Sequence, residues 1–573
     1  MEREPEITTY KNKNSNLFYK KLNRNELNTL PPLDLQRTAI EYPANLDYRL
    51  ELSKRLAESF QTKRLLVFDD VALAVPEAQR PHLMALPGYE RILLPALMLS
   101  PGFEVGASVL VAAPPNPIER EITLVFKKQL EEKIGKVVNL RVLWEISDGS
   151  LVDIFSLNDE TYMKLCEDYA NYLDNPQNLK RYNPFYHLDV VNRYSQDLFD
   201  LPTLVIPFQT TEYHYERLSS SKNVRLPIIP NMNKLENNFL LREAGFEDIP
   251  FMIGVAAEGR LIEDREGLKQ IGRSNSLPPT DENMSKFASA IVTAMEKLRE
   301  SDLETYIKLD SNGVSGLGNL SPEKYPYVYD PNLKTERRTH ALYEIIKSYG
   351  FKELPFLAVV EERIKPRVID DIKLDVTVGG IMINGVFFPM SIFPFGVNAS
   401  DEYVCGWMGQ YSEEIGIETS LQGRLFESFA EMGRILAANG YTDGILAGDV
   451  MVGSNGNLYV HDYNFRRGGR SYLEALIALT DTSFFEAQIV IDLEGKTNNL
   501  SRYQFYTQIC QKLYKEGIIP FSTSFGYFGG DHTEEKPDFL KFKLAVPLTH
   551  PSILYVSKYE MLKRVEDYVK SLS

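Results

Sequence analysis

Asp449, Asp462 and Asn464 lie within GILAGDVMVGSNGNLYVHDYNFRRGGR, residues 444–470, which reads as a β-hairpin turning at Ser454, Asn455 and Gly456. Side chains alternate along a strand, so Asp462 and Asn464, two apart, point to one face. Two carboxylates and an amide oxygen are hard oxygen ligands, suited to Mg²⁺ or Mn²⁺ held jointly with phosphates. Arg466 continues that face and can meet phosphate or carboxylate oxygens. The same alternation turns His461 away from it. The plain alternative is a solvated strand face, but both carboxylates sit among apolar residues, where an unpaired charge is costly.

Two further segments carry candidate chemistry. In ETYIKLDSNGVSGLGN, residues 304–319, an apolar strand bearing Lys308 runs into a loop with Ser311, Gly313, Ser315, Gly316, Gly318 and Asn319. Glycines let backbone N–H groups approach an anion, and the lysine adds a mobile positive charge. No Gly-Lys-Ser/Thr follows, so this is not a Walker A loop, and by itself a plain turn would explain it. In PFLAVVEERI, residues 355–364, a buried strand ends in Glu361 and Glu362, followed by the apolar Ile364. Such a strand end can offer backbone groups to an adenine edge and a carboxylate to ribose. An ordinary charged strand end has the same appearance.

In this order the three segments resemble the ATP-grasp superfamily: a phosphate lysine on a strand, a Gly-rich loop, a strand-end acid, then a hairpin with Asp and an acid-x-Asn-x-Arg signature. Within it the chain is similar to the peptide ligases with a pre-ATP-grasp domain, of the pheganomycin-synthesis type, where Asn-x-Arg-x-Gly-Gly follows the metal residues as NFRRGG (464–469) does here. The resemblance implies that Lys308 and Lys234 hold the α- and β-phosphates of ATP and that residues 311–319 close over the γ-phosphate. It places Glu361, Glu362 and Ile364 around adenine and ribose, and gives Asp449, Asp462 and Asn464 to Mg²⁺ or Mn²⁺. Arg466 would stabilise the transferred phosphoryl group, with Arg470 beside it as a second catalytic arginine. The chain departs from the pattern at Asp462, in place of Glu, at His461 before it, and at Arg470, Ser471 and Tyr472, where Thr-Thr-His-Pro is common.

These side chains need a scaffold. Short apolar runs at 64–68, 107–112, 140–144 and 203–207, with an amphipathic helix at 117–135 closed by Gly135, give the strand–helix–strand order of a parallel sheet. Asp69 and Asp70 end the first of those strands, where parallel sheets often place a ligand crevice. A helix over 231–245 takes Asn233 as its N-cap, and a longer one follows over 281–300. Strands are expected at 305–309, 356–361 and 373–390, and a helix at 423–440. The pattern reads as α/β and α+β multidomain, and the resemblance implies a parallel pre-ATP-grasp domain, a two-lobed ATP-grasp and a small C-terminal α/β cap. Boundaries fall at 1–45 (extended lead-in), 46–230, 231–360, 361–495 and 496–573, the cap with helices near 502–515 and 558–571.

The whole chain, 573 residues with a net charge of −16, has no general attraction to a phosphate backbone or an anionic bilayer. Its 32 Tyr and 30 Phe read as packing residues. Cys166, Cys405 and Cys510 are too far apart for a disulfide framework or a Cys-x-x-Cys metal site, which suits a reducing cytoplasm. The polar N-terminus lacks a signal-peptide core, and no apolar run is long enough to cross a bilayer. Nucleic-acid and membrane partners are not expected. The scattered histidines exclude a zinc-hydrolase motif. The resemblance implies an ATP-dependent ligase joining a small carboxylate to an amine, whether amino acid, peptide or natural-product acid. An ATP-grasp phosphotransferase, an enzyme with a non-amine acceptor, and a degenerate nucleotide-binding regulator are the alternatives.

Overall fold

The computed structural model describes residues 46–70, 73, 92–173, 185–231, 233–271, 277–309, 319–351, 353–354, 357–369, 372–397, 403–408, 419–467, 471–480, 482–492, 502–525, 539–547 and 567. The expected lead-in, the loop residues Ser311, Gly313, Ser315, Gly316 and Gly318, Arg470, and all of the expected helix near 558–571 but Asp567 lie outside them.

The first sheet takes β1 (Arg64–Phe68), β2 (Gly106–Leu110), β3 (Leu140–Glu145), β4 (Leu151–Asp153), β5 (Thr203–Ile206) and β6 (Val224–Arg225) in the order β4-β3-β2-β1-β5-β6. All neighbours are parallel except β3 and β4. Between β2 and β3 the helix Pro117–Ile134 begins at a capping box of Asn116 and Glu119 and ends at Gly135, whose φ of 68° admits the left-handed cap. The strand order reverses around β1, so the carboxyl ends of β1 and β5 form a crevice of the kind α/β sheets use for ligands. Asp70, just past β1, accepts from the Phe208 backbone N–H at 3.1 Å. It also pairs with His214 Nε2 at 2.6 Å. Because the Thr211 N–H donates to His214 Nδ1, the ring's proton sits on Nε2 and is donated to Asp70. Asp70 thus holds the loop after β5 against the end of β1.

The second sheet is antiparallel. It takes β7 (Met252–Ala256), β8 (Leu261–Ile262), β9 (Thr305–Lys308), β10 (Asn319–Leu320) and β11 (Leu357–Glu362) in the order β10-β9-β11-β7-β8. Its two faces are distinct. Val255, Ile307 and Val360 pack on the helices Asp281–Glu300 and Thr335–Ser348. Met252, Ala256, Leu357 and Val359 pack on Leu235 and Phe239 of the helix Lys234–Glu243.

The third sheet has β12 (Val368–Ile369), β13 (Ile372–Ile383), β14 (Val386–Val397), β15 (Tyr403–Met408), β16 (Gly444–Val452), β17 (Leu458–Asn464), β18 (Phe484–Asp492), β19 (Ile519–Phe525) and β20 (Phe539–Pro547). Its order is β17-β16-β13-β14-β15-β18-β20-β19, with β12 beside β13. The single strand expected over 373–390 is instead a hairpin, β13 and β14, turning at Asn384 and Gly385. Their φ values of 50° and 79° are those of the two-residue turn that suits twisted strands. One face of this sheet packs Val376, Val378, Leu446 and Val450 on the helix Thr419–Ala438. The other face looks toward the remaining two sheets and carries the polar residues described next. The strands of the C-terminal stretch, β19 and β20, extend this same sheet. Among the described residues no helix is long and apolar enough to cross a membrane.

Candidate active site

Hairpin β16–β17 brings Asp449 directly opposite Asp462. The ladder then slips: Asp449 pairs with Asp462 but Val450 pairs with Val460, leaving His461 as the extra residue of a β-bulge. The Val460 N–H is turned out to the Asp248 carbonyl at 2.8 Å. Across the bulge the alternation changes phase. Leu458 and Val460 face the core before it, and Tyr463 and Phe465 after it. His461 and Asp462 consequently emerge on the same face, and His461 Nε2 meets Asp375 Oδ2 at 2.9 Å. The expectation that His461 points away from the carboxylates is therefore corrected, because the bulge breaks the strict alternation on which it rested.

Neighbouring β13 completes the acidic floor. Thr377 is paired with Asp449 in the ladder, and its hydroxyl donates to Asp449 Oδ1 at 2.6 Å. Asp375, two residues earlier, is on the same face. Neither residue was singled out from sequence, although a polar pair two apart in an otherwise apolar strand is the signal that marks them.

The helix Lys234–Glu243 and strand β9 supply the cations. Asn233 caps the helix Lys234–Glu243 by accepting the Glu236 N–H, which fixes Lys234 at the first helical position. Lys234 Nζ is ion-paired with Asp462 Oδ1. Lys308, the last residue of β9, lies 2.8 Å from Glu361 Oε1 and donates to the His461 carbonyl at 3.3 Å. The structure thus gathers Lys234, Lys308, Glu361, Asp449 and Asp462 into one cleft between the second and third sheets. Asn319 lies beside Lys308 in the ladder, and Asn464, two past Asp462, is opposite Ala447. Glu362 is not in this group: it points to the opposite face from Glu361, with its carboxylate on the Phe251 N–H. Ile364 is buried past the strand end. Arg466 lies beyond β17, its guanidinium 5.5 Å from the centre of the Phe208 ring. Arg467 alongside donates to the Phe68 carbonyl and lies 3.6 Å from Asp69, tying the hairpin's exit to the end of β1.

Charge separates the two aspartates. Burial alone would raise Asp462, but Lys234 and Lys308 hold its carboxyl well below the usual range. Burial pushes Asp449 up, and the charges of Asp462 and Asp375 push it further. Burial works against the Lys308 ammonium, yet Glu361 and Asp462 raise it above its ordinary value. His461 is raised to about 9 because Asp375 outweighs its burial. The cleft therefore holds two fixed cations beside paired anions whose mutual repulsion a divalent ion would relieve. Among the described residues no three His, Cys, Asp or Glu side chains form a ready cation cage. A magnesium ion bound with phosphates needs only one or two carboxylates, and this donor set fits it.

No protein-family model and no curated protein matches the chain. Among solved structures it is similar to an N5-carboxyaminoimidazole ribonucleotide synthetase in complex with ADP, at 10% identity and a TM-score of 0.42, covering 89% of this chain and 98% of that one. It is also similar to an N5-carboxyaminoimidazole synthase from Aspergillus clavatus with ADP and 5-aminoimidazole ribonucleotide, at 9% identity and 0.41, covering 89% and 100%. An L-amino acid ligase from Bacillus licheniformis matches at 13% identity and 0.38, covering 88% and 97%. These three are ATP-grasp enzymes, the superfamily that the motifs resemble. At such identities and TM-scores the likeness carries no argument about what this chain binds or does.

Proposed function

We propose that the chain is an ATP-dependent carboxylate–amine ligase working through an acylphosphate. The observation that carries this reading is the meeting of Lys234 and Lys308, from the helix Lys234–Glu243 and strand β9, with the facing Asp449 and Asp462 of the hairpin. Two cations on one wall and two carboxylates on the other suit a polyphosphate laid along the cleft. Binding would transfer the lysines from Asp462 and Glu361 to phosphate oxygens, freeing both carboxylates. Asp449, Asp462 and Asn464 would hold a magnesium ion, which supplies neutralisation of the phosphate charge.

The substrate carboxylate oxygen attacks the γ-phosphorus, the bond from phosphorus to the bridging oxygen breaks, and ADP leaves with the electron pair. An amine then attacks the acyl carbon, phosphate departs with its bonding electrons, and the ammonium proton is lost to give the amide. Arg466, free to leave the Phe208 ring, would meet the oxygens of the transferred group. In the remaining role, Lys308 and Lys234 orient and neutralise the phosphates, which is most of what phosphoryl transfer asks of a protein. The test is nucleotide release on mixing the protein with ATP, Mg²⁺ and paired amino acids. ADP and phosphate formed one to one with an amide support the reading. AMP and pyrophosphate, or ATP that never binds, would overturn it.

A further inference from the structure

A second feature adjoins this cleft. Between the helices Leu46–Ser59 and Leu93–Leu99, the loop after β5, and the same face of the third sheet is a cavity of about 100 Å³. Its walls are apolar, with Leu52, Met98, Ile206, Ile381, Met390 and Ala475 among them. Ile445 on its floor and Asp449 in the cleft lie on one face of β16, four residues apart, which spans roughly 14 Å. Phe208 lines the cavity and carries the Arg466 guanidinium. The cavity thus lies next to the arginine to which the proposed reading gives the transferred phosphoryl group.

The polar groups in its wall are mostly satisfied by one another. Arg49 donates to the Met390 carbonyl at 2.8 Å and lies 3.7 Å from Glu474, which also accepts from the Ser391 hydroxyl. These pairs cancel in charge, so the wall does not call for a charged ligand side chain. Gln209 differs. It is 6% exposed, lines the cavity, and its carboxamide oxygen has no hydrogen-bond partner among the described residues. A buried acceptor without a donor is uncommon in a folded chain and points to a donor brought by a ligand. A cavity of this scale takes a compact group of about four to six heavy atoms.

We propose that this cavity selects the amine substrate of the ligation: a primary amine bearing a compact apolar group, held by an N–H donated to the Gln209 carboxamide. The proposal rests on the ligase reading for its place in the reaction, but the binding it describes needs no nucleotide. Asp70, by fixing the Phe208 backbone, positions Gln209 beside it.

The experiment is calorimetric titration of the full chain, without nucleotide, with leucine, methionine and phenylalanine against lysine and aspartate, with ATP titrated separately. At least one apolar amino acid should bind tenfold or more tightly than either charged one. Gln209→Leu, which removes the unpaired acceptor at nearly constant volume, should weaken that binding at least tenfold. Ala475→Val, which narrows the cavity, should shift preference toward alanine-sized ligands. Preference for lysine or aspartate, or unchanged affinities in both variants, would overturn the proposal. So would ATP binding unaccompanied by any amine binding, while leaving the ligase reading intact. Failure of ATP to bind would sink the ligase reading alone, since apolar amine binding would still decide the cavity.

Discussion

Asp449 and Asp462 stand directly opposite each other in the hairpin ladder, yet one carboxyl is pushed up and the other held down. The asymmetry comes from the lysines, because Lys234 reaches Asp462 and the Asp449 carboxylate accepts only the Thr377 hydroxyl among the described hydrogen bonds. In the proposed reading, this asymmetry leaves Asp449 and Asp462 to share a metal once the lysines turn to phosphate.

Replacing Lys308 by Met keeps most of the stem and removes the charge. One charge-assisted contact is worth about 1.5–3 kcal/mol, so the Kd for ATP should rise by roughly ten- to a hundredfold. Calorimetry giving the wild-type affinity would take Lys308 away from the phosphates.

Asp462→Asn keeps the side chain's shape and removes its charge. Losing a mere outer partner of a metal costs about 10–100-fold in affinity, and losing a ligand's charge should cost no less. The Mg²⁺ needed for half-maximal ADP release should climb accordingly, with excess Mg²⁺ or Mn²⁺ restoring only part of the rate. Full activity at ordinary Mg²⁺ would make the hairpin structural.

Arg466→Ala should separate binding from chemistry. Donors aimed at charge that develops in transfer are worth about 2.7–4 kcal/mol, so the single-turnover rate should fall by roughly 10²–10³ with little change in ATP affinity. If only ATP affinity falls, Arg466 clamps the ground state instead.

Asp70 provides a pH test away from the cleft. Burial would raise its carboxyl, but His214 and the Phe208 N–H hold it below the ordinary range. A depressed folded value stabilises above the unfolded pKa, and that contribution is lost as pH falls through the folded one. Asp70→Asn should therefore destabilise the first sheet by about 1.5–3 kcal/mol at neutral pH, and the difference from wild type should shrink below about pH 4. Trp144, on β3, reports this by fluorescence in a Trp407→Phe background during urea unfolding. A gap between the two proteins that persists undiminished at pH 2 would contradict the assignment.

Much of this was legible in the sequence because the signals were local. The helix Lys234–Glu243 announces its cap at Asn233, and the carboxylate hairpin announces its turn at Asn455 and Gly456. What was misread depended on partners far along the chain. The bulge at His461 exists because Val460 turns its N–H to Asp248, and no spacing within β17 shows that. Lys308 and Glu361 were each identified, but their ion pair is a product of β9 lying beside β11. The turn at Asn384 and Gly385 was available as a dipeptide signal, and the long apolar run around it obscured the break. Gln209 had no signal at all: one glutamine after Pro207 and Phe208 becomes distinctive only when a cavity closes over it.

The order of strands in the third sheet also governs how the molecule is made. β20 lies between β18 and β19, so β19 emerges from the ribosome before β20, the strand it pairs with. Residues 493–538 must be synthesised before β18 gains its second partner, a delay of roughly 2–10 s at ordinary rates of translation. Throughout that interval the nascent chain presents a bare strand edge on the very sheet that carries Asp449 and Asp462. Such an edge pairs readily with any other strand it meets. The slow and vulnerable moment in the life of this protein is thus the wait for its last described strand, and a chaperone that shields β18 would act at that moment.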